Sequence, residues 1–173
     1  MKAHNALSDP AAHDTKELYA LIEALFFAYR DFTSDPDRIL DEIGFGRAHH
    51  RVLHFVNRYP GMRVADLLEI LQITKQSLAR VLRELISKGY IEQRAAQDDK
   101  RARLLYVTSG GRALARRLVT PQLRRLRKAL HGLDAEGRRA VIRFLAAMAP
   151  GNVVSELNGR SPRRGQKTEA DSA

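Results

Sequence analysis

Two helical patterns with almost no chain between them restrict the fold of this sequence more than any other feature. Pro60-Gly61 is a stop signal. Beyond it, Val64–Leu71 sets Leu67, Leu68 and Leu71 on one side, and only Gln72-Ile73 separates this pattern from Thr74, a candidate N-cap. In the pattern that follows, Leu78, Val81, Leu82, Leu85 and Ile86 recur at i, i+3, i+4, i+7 and i+8, and Gly89 ends it. Lys75, Gln76, Arg80 and Arg83 lie off that apolar stripe. Helices joined by so tight a turn cross steeply, which is the geometry of a helix-turn-helix whose second helix can enter a major groove.

The flanking sequence predicts a hairpin and more helices. Tyr90-Ile91-Glu92-Gln93-Arg94 and Arg103-Leu104-Leu105-Tyr106-Val107 read as two strands around a charged tip that holds Gln97-Asp98-Asp99-Lys100-Arg101. Thr108-Ser109 offers an N-cap for a long arginine-rich helix over residues 111–131, and Pro121 predicts a kink or break within it. Asp134 caps a last helix with Val141, Ile142, Leu145 and Met148 on one face, closed by Pro150-Gly151. Toward the N-terminus, Leu18, Leu21, Ile22, Leu25, Phe26 and Tyr29 predict a helix over residues 14–32. Thr33-Ser34-Asp35-Pro36 reads as its break, with Asp35 and Pro36 starting a short helix that ends at Gly44, followed by a helix over residues 46–58. The fold class is therefore mainly α with a small β-wing.

Charge and composition narrow the function. The 173 residues carry 30 Lys+Arg against 20 Asp+Glu, a formal charge of +10. Residues 61–130 hold 16 basic and 6 acidic side chains, whereas residues 1–60 hold 7 and 9. A basic block on a near-neutral scaffold points to an anionic polymer as partner, nucleic acid above all. The absence of cysteine excludes disulfide scaffolds, thiolate metal sites and thiol redox switches. No run approaches the roughly 18 apolar residues of a membrane span, and no signal-peptide pattern opens the chain. A cytoplasmic protein without a membrane partner is expected.

In order and spacing, three stretches resemble the MarR family of winged helix-turn-helix transcriptional regulators. They are Gln76-Ser77-Leu78-Ala79-Arg80-Val81-Leu82 through Lys88-Gly89-Tyr90-Ile91; Asp99-Lys100-Arg101, similar to the family's wing-tip Asp-x-Arg; and Val107-Thr108 with Gly111, similar to its strand-to-helix junction. The resemblance implies a winged lobe over residues 61–108 that binds double-stranded DNA. Helices in residues 14–58 and 111–149 would form a scaffold that joins two copies. An arm over residues 1–13 and a disordered tail over residues 152–173 would flank this domain.

The residue types suit these roles. Thr74 leaves the positive end of a helix dipole facing outward, while Lys75, Gln76 and Ser77 fill the first turn, with Arg80 one turn on and Arg83 nearer the backbone of the duplex. Gln pairs with adenine and Arg with guanine through bidentate bonds. By resemblance, Asp99 orients Arg101 into the minor groove, with Lys100 and Arg103 on phosphates. The same polar residues can also form a merely solvated helix face, and the hairpin a solvated turn.

The stripes Leu18, Leu21, Ile22, Leu25, Phe26, Tyr29 and Val141, Ile142, Leu145, Met148 exceed what so small a winged core covers, which points to a homodimer interface. Intrachain core is the other reading of these stripes. The resemblance also implies a small-molecule effector between scaffold and lobe, and Tyr19, Tyr29, Phe45 and Phe55 are candidate lining. The arginines after the wing can flank DNA or pair with Asp35, Asp37, Asp41 and Glu42. His50 and His54 share a helix face with His49 nearby, but carboxylate partners would have to come from elsewhere, so no metal site and no cofactor is expected. No nucleophile elbow, phosphate loop or HExxH pattern is present, and an enzyme is not expected. An architectural DNA-coating protein and a helical adaptor remain alternatives to a sequence-specific regulator.

Overall fold

The computed structural model describes residues 10–96 and 103–149. Six helices and a three-stranded antiparallel sheet follow in the order α1 (Pro10–Asp41), α2 (Arg47–Arg58), β1 (Met62–Arg63), α3 (Val64–Leu71), α4 (Lys75–Ser87), β2 (Ile91–Ala95), β3 (Arg103–Val107), α5 (Ser109–Leu130) and α6 (Ala135–Met148). The sheet order is β1-β3-β2, with Met62 opposite Leu105 and Ile91 opposite Val107. The core gathers Val52, Leu53 and Val56 of α2, Leu67 and Leu71 of α3, Leu78, Val81, Leu82 and Leu85 of α4, Leu105 of β3, and Leu114 and Leu118 of α5.

The region around Pro36 departs from expectation. The sequence predicts a break at residues 33–36, yet α1 runs unbroken through Pro36 and begins at Pro10, inside the expected arm. A proline within a helix deprives the carbonyl four residues earlier of its donor. Here that carbonyl belongs to Phe32, and the buried Gln122 of α5 donates to it at 3.4 Å. Thr33 and Ser34 turn their hydroxyls back onto the carbonyls of Tyr29, Arg30 and Asp31, so they continue the helix rather than cap a new one. Asp35 pairs with Arg38 and Arg125 instead of serving as an N-cap. Likewise α5 passes Pro121 without a break.

Two junctions place the wing. At the end of α4, Gly89 takes φ +72°; its N–H donates to Ile86 and that of Tyr90 to Leu85, the paired bonds of a Schellman stop. Thr108 then donates its hydroxyl to the Gly89 carbonyl at 2.6 Å and accepts from the Gly111 N–H at 3.0 Å. The first turn of α5 thus rests on the backbone that ends α4. A Cβ at Gly111 would stand 2.0 Å from the Tyr90 carbonyl oxygen, which explains the glycine there. The two-residue β1 gives no periodic signal in the sequence and exists through its pairing with β3.

Candidate nucleic-acid interface

The turn from α3 to α4 is short because Gln72 adopts the left-handed conformation, φ +50° and ψ +45°, while its side chain bonds the Glu69 carbonyl. Thr74 caps α4 as the sequence predicts, accepting from the Ser77 N–H at 3.1 Å. With Leu78, Val81, Leu82 and Leu85 buried, the helix leaves Thr74, Lys75, Gln76, Ser77, Arg80 and Arg83 exposed. Among the described residues Lys75, Gln76, Arg80 and Arg83 have no hydrogen-bond or ion-pair partner. The first turn holds no acidic side chain, so nothing there offsets the positive end of the dipole.

The helix behind α4 holds it in place, through contacts that sequence reasoning missed. The His49 ring of α2 stacks on Phe45 at 4.3 Å; Nδ1 accepts from the Gly46 N–H at 3.1 Å, which leaves Nε2–H to donate to Glu84 of α4 at 2.7 Å. From the same helix Arg51 donates to the Leu71 carbonyl at the end of α3. At the far end of α4, Lys88 donates to the Ile43 carbonyl and lies over the Phe45 ring. Both helices of the helix-turn-helix are therefore tied to α2 and its entry loop. These links join residues far apart in the chain, and no local pattern announces them.

In the wing, Glu92 and Arg94 pair on β2, and the Arg94 guanidinium covers the Tyr106 ring of β3. Arg103 is exposed at the start of β3, opposite Ala95. Asp99, Lys100 and Arg101 lie outside the described residues.

On the scaffold helices, Leu18, Leu21, Ile22, Phe26, Tyr29, Val141, Ile142, Leu145 and Met148 are exposed in the single chain, and Leu25 is half-buried. Phe27, Leu123, Leu126, Leu133 and Phe144, which the sequence did not single out, are exposed alongside them. Of the arginines on α5, Arg117 pairs with Glu42 at 3.2 Å and Arg125 with Asp35 at 3.4 Å, while Asp37 is taken by Arg47 of α2.

A cleft of about 360 Å³ lies where α1, α2 and α5 meet. Tyr29 and Phe55 line it as the sequence suggests, together with His50, His54 and Arg47. Phe45 is core instead, stacked on His49, and Tyr19 is exposed and outside the cleft lining. Loss of hydration holds His50 and His54 below the ordinary imidazole value; His54 lowers His50 further, and Arg58 does the same to His54. Among the described residues no three His, Asp or Glu side chains gather as a metal site, and no helix is long and apolar enough to cross a membrane.

Known proteins share this arrangement. The model of the MarR family matches residues 43–102, from just beyond α1 to the residue before β3. The HTH-type transcriptional regulator PetP of Rhodobacter capsulatus is 53% identical over 123 residues, which span 71% of this chain and 72% of PetP. Among solved structures, a MarR family transcription regulator superposes with a TM-score of 0.66 at 21% identity, covering 88% of this chain and 100% of the other. A mutant of MarR from E. coli, complexed with operator DNA, gives 0.57 at 23% identity over 78% of this chain and 96% of its own. With the fold shared by these structures and the sequence shared with PetP, the chain belongs to the MarR family of winged helix-turn-helix transcriptional regulators.

Proposed function

We propose that this regulator binds double-stranded DNA as a homodimer on a pseudo-palindromic operator, with α4 in the major groove and the wing in the minor groove. The exposed face of α4 carries the reading. Among the described residues Lys75, Gln76, Arg80 and Arg83 are free of protein partners that would compete with DNA, and Ser77 is bonded only to the capping Thr74, while the opposite face is fixed to α2. Thr74 and the exposed helix N-terminus suit a phosphate oxygen. Arg80 is the candidate for bidentate contact with guanine and Gln76 with adenine. Asp99, Lys100, Arg101 and Arg103 form the wing contact, with Arg101 in a narrow minor groove.

Two copies joined through α1 and α6 would place their α4 helices one helical turn of DNA apart, about 34–36 Å. The division into an arm over residues 1–13, a domain over 14–149 and a tail over 152–173 belongs to the same reading. So does a role without catalysis, in keeping with relatives named as regulators. The cleft at His50, His54 and Phe55 is the candidate effector site, placed where an occupant would bias lobe spacing by preferring one state.

Selection of bound duplexes from genomic fragments, followed by titration of wild type, Arg80→Ala and Arg101→Ala, tests the proposal. A selected duplex should bind at least a thousandfold more tightly than random DNA. Each substitution should cost about 1–3 kcal/mol on the selected duplex. Equal affinity for selected and random duplex would instead make the protein an architectural coat.

A further inference from the structure

A second charged feature lies away from α4. A groove of about 600 Å³ runs between the C-terminal third of α1 and the middle of α5. Four guanidinium groups line it, Arg38 from α1 and Arg116, Arg117 and Arg124 from α5, against two carboxylates, Asp35 and Glu42. Both carboxylates are already engaged, Asp35 by Arg38 and Arg125 and Glu42 by Arg117. Arg116 and Arg124 have no ion-pair partner among the described residues.

These two arginines stand eight residues apart on one helix, about 12 Å along its axis and within 80° around it. Thr120 lies between them, its hydroxyl tied to the Arg116 carbonyl at 2.7 Å. Side chains as long as arginine can converge from that spacing over one ligand. Clustered like charges repel each other unless an anion joins them. The volume falls within the range of small-ligand pockets.

We propose that this groove binds a small multivalent oxyanion, a phosphorylated or polycarboxylate metabolite, held chiefly by Arg116 and Arg124. The planar fork of each guanidinium matches two oxygens of a phosphate or carboxylate, while Arg38 and Arg117 hold Asp35 and Glu42 in ion pairs and so offset the two carboxylates of the lining. Such a ligand bridges α1 and α5 where both helices carry a proline, Pro36 and Pro121. It thereby ties together two helices that carry exposed apolar side chains elsewhere along their length.

The test uses the full chain, with pyrophosphate, citrate and inorganic phosphate as probes at constant ionic strength and sodium chloride as control. Calorimetry and thermal melting should show saturable binding of pyrophosphate or citrate to wild type. Affinity should fall at least tenfold in R116A/R124A, a variant whose unliganded melting temperature stays close to wild type because it breaks no ion pair. Arg80→Ala should keep anion affinity unchanged, which separates this site from the α4 surface. The proposal is overturned if chloride reproduces the stabilisation, or if R116A/R124A binds the probes as well as wild type. It is also overturned if the double variant retains anion binding and loses only the salt dependence of DNA binding, which would place these arginines on the duplex backbone.

Discussion

At Gly111 one hydrogen atom decides whether the wing can join the scaffold. A methyl group there would sit 2.0 Å from the Tyr90 carbonyl oxygen, and that oxygen is backbone already bonded to the Thr108 N–H at 3.1 Å. Neither partner can yield cheaply. Gly111→Ala should destabilise the protein by about 3 kcal/mol, at the upper end of overpacking penalties. Gly110→Ala meets nothing closer than 3.7 Å and raises helix propensity, so it should be neutral or stabilising by up to about 1 kcal/mol. Urea midpoints of the two variants should therefore move apart, and a common shift would refute the packing argument. His50 and His54 set a pH dependence of their own. Their native imidazoles are held below 6.5, mainly by lost hydration, with Asp37 drawing His50 partly back. As pH falls below 6.5 the unfolded chain takes up protons that the folded chain resists, so stability is full above that value and declines as pH drops through the lowered native values. Between pH 7.5 and 5 the melting temperature of wild type should fall more steeply than that of His50→Gln/His54→Gln; parallel curves would contradict this assignment.

Helix α2 does for α4 what α4 cannot do for itself. Its apolar face supplies Val52, Leu53 and Val56 to the core, and its polar side ties down α3 through Arg51 and α4 through His49. Because Glu84 remains partly exposed, the His49–Glu84 bond should contribute only about 1 kcal/mol to stability. A double-mutant cycle of His49→Ala and Glu84→Ala, read by thermal melting, should return a coupling of that size. Selected-duplex affinity should fall about tenfold in either single variant, and additive effects would show that the two side chains act apart. None of this was legible in the sequence, because His49 and Glu84 are joined only by the tertiary fold. What was legible is the face of α4, since a single stripe from Leu78 to Ile86 fixes which side chains remain outside, and Thr74 and Gly89 announce its ends. The break expected at residues 33–36 failed for the same reason that His49 was missed. Asp-Pro is a strong local start signal, and the group that answers the proline, Gln122, bonds a carbonyl ninety residues before it in the chain, that of Phe32. At Asp99-Lys100-Arg101 the sequence reading stands without a described structure beside it.

On the scale of the whole molecule, charge and apolar surface are segregated. Positive charge concentrates from α4 through α5, while exposed apolar side chains concentrate on α1, the C-terminal half of α5, and α6. Helix α6 has no buried residue in the single chain, although Val141, Ile142, Phe144, Leu145 and Met148 lie along it. Fourteen residues are marginal for an isolated helix in water, so α6 depends on packing against another surface. In the proposed homodimer Phe26, 69% exposed, and Ile142, 60% exposed, would offer that surface in a second copy. An obligate dimer interface resembles a core divided between two chains. Replacing Ile142 by Glu places a charge within such an interface but touches nothing in the winged lobe, whose core is entirely intrachain. Sedimentation of Ile142→Glu should show the mass of one chain where wild type shows two, and helical circular dichroism should fall by about the content of α6. The lobe should still unfold cooperatively. Affinity for the selected duplex should drop by a hundredfold or more, since each half-site would then be held alone, while weak binding to random DNA persists through Lys75, Arg80 and Arg83. An Ile142→Glu protein that stays dimeric and keeps wild-type affinity for the selected duplex would show that the exposed stripes on α1 and α6 serve some other partner.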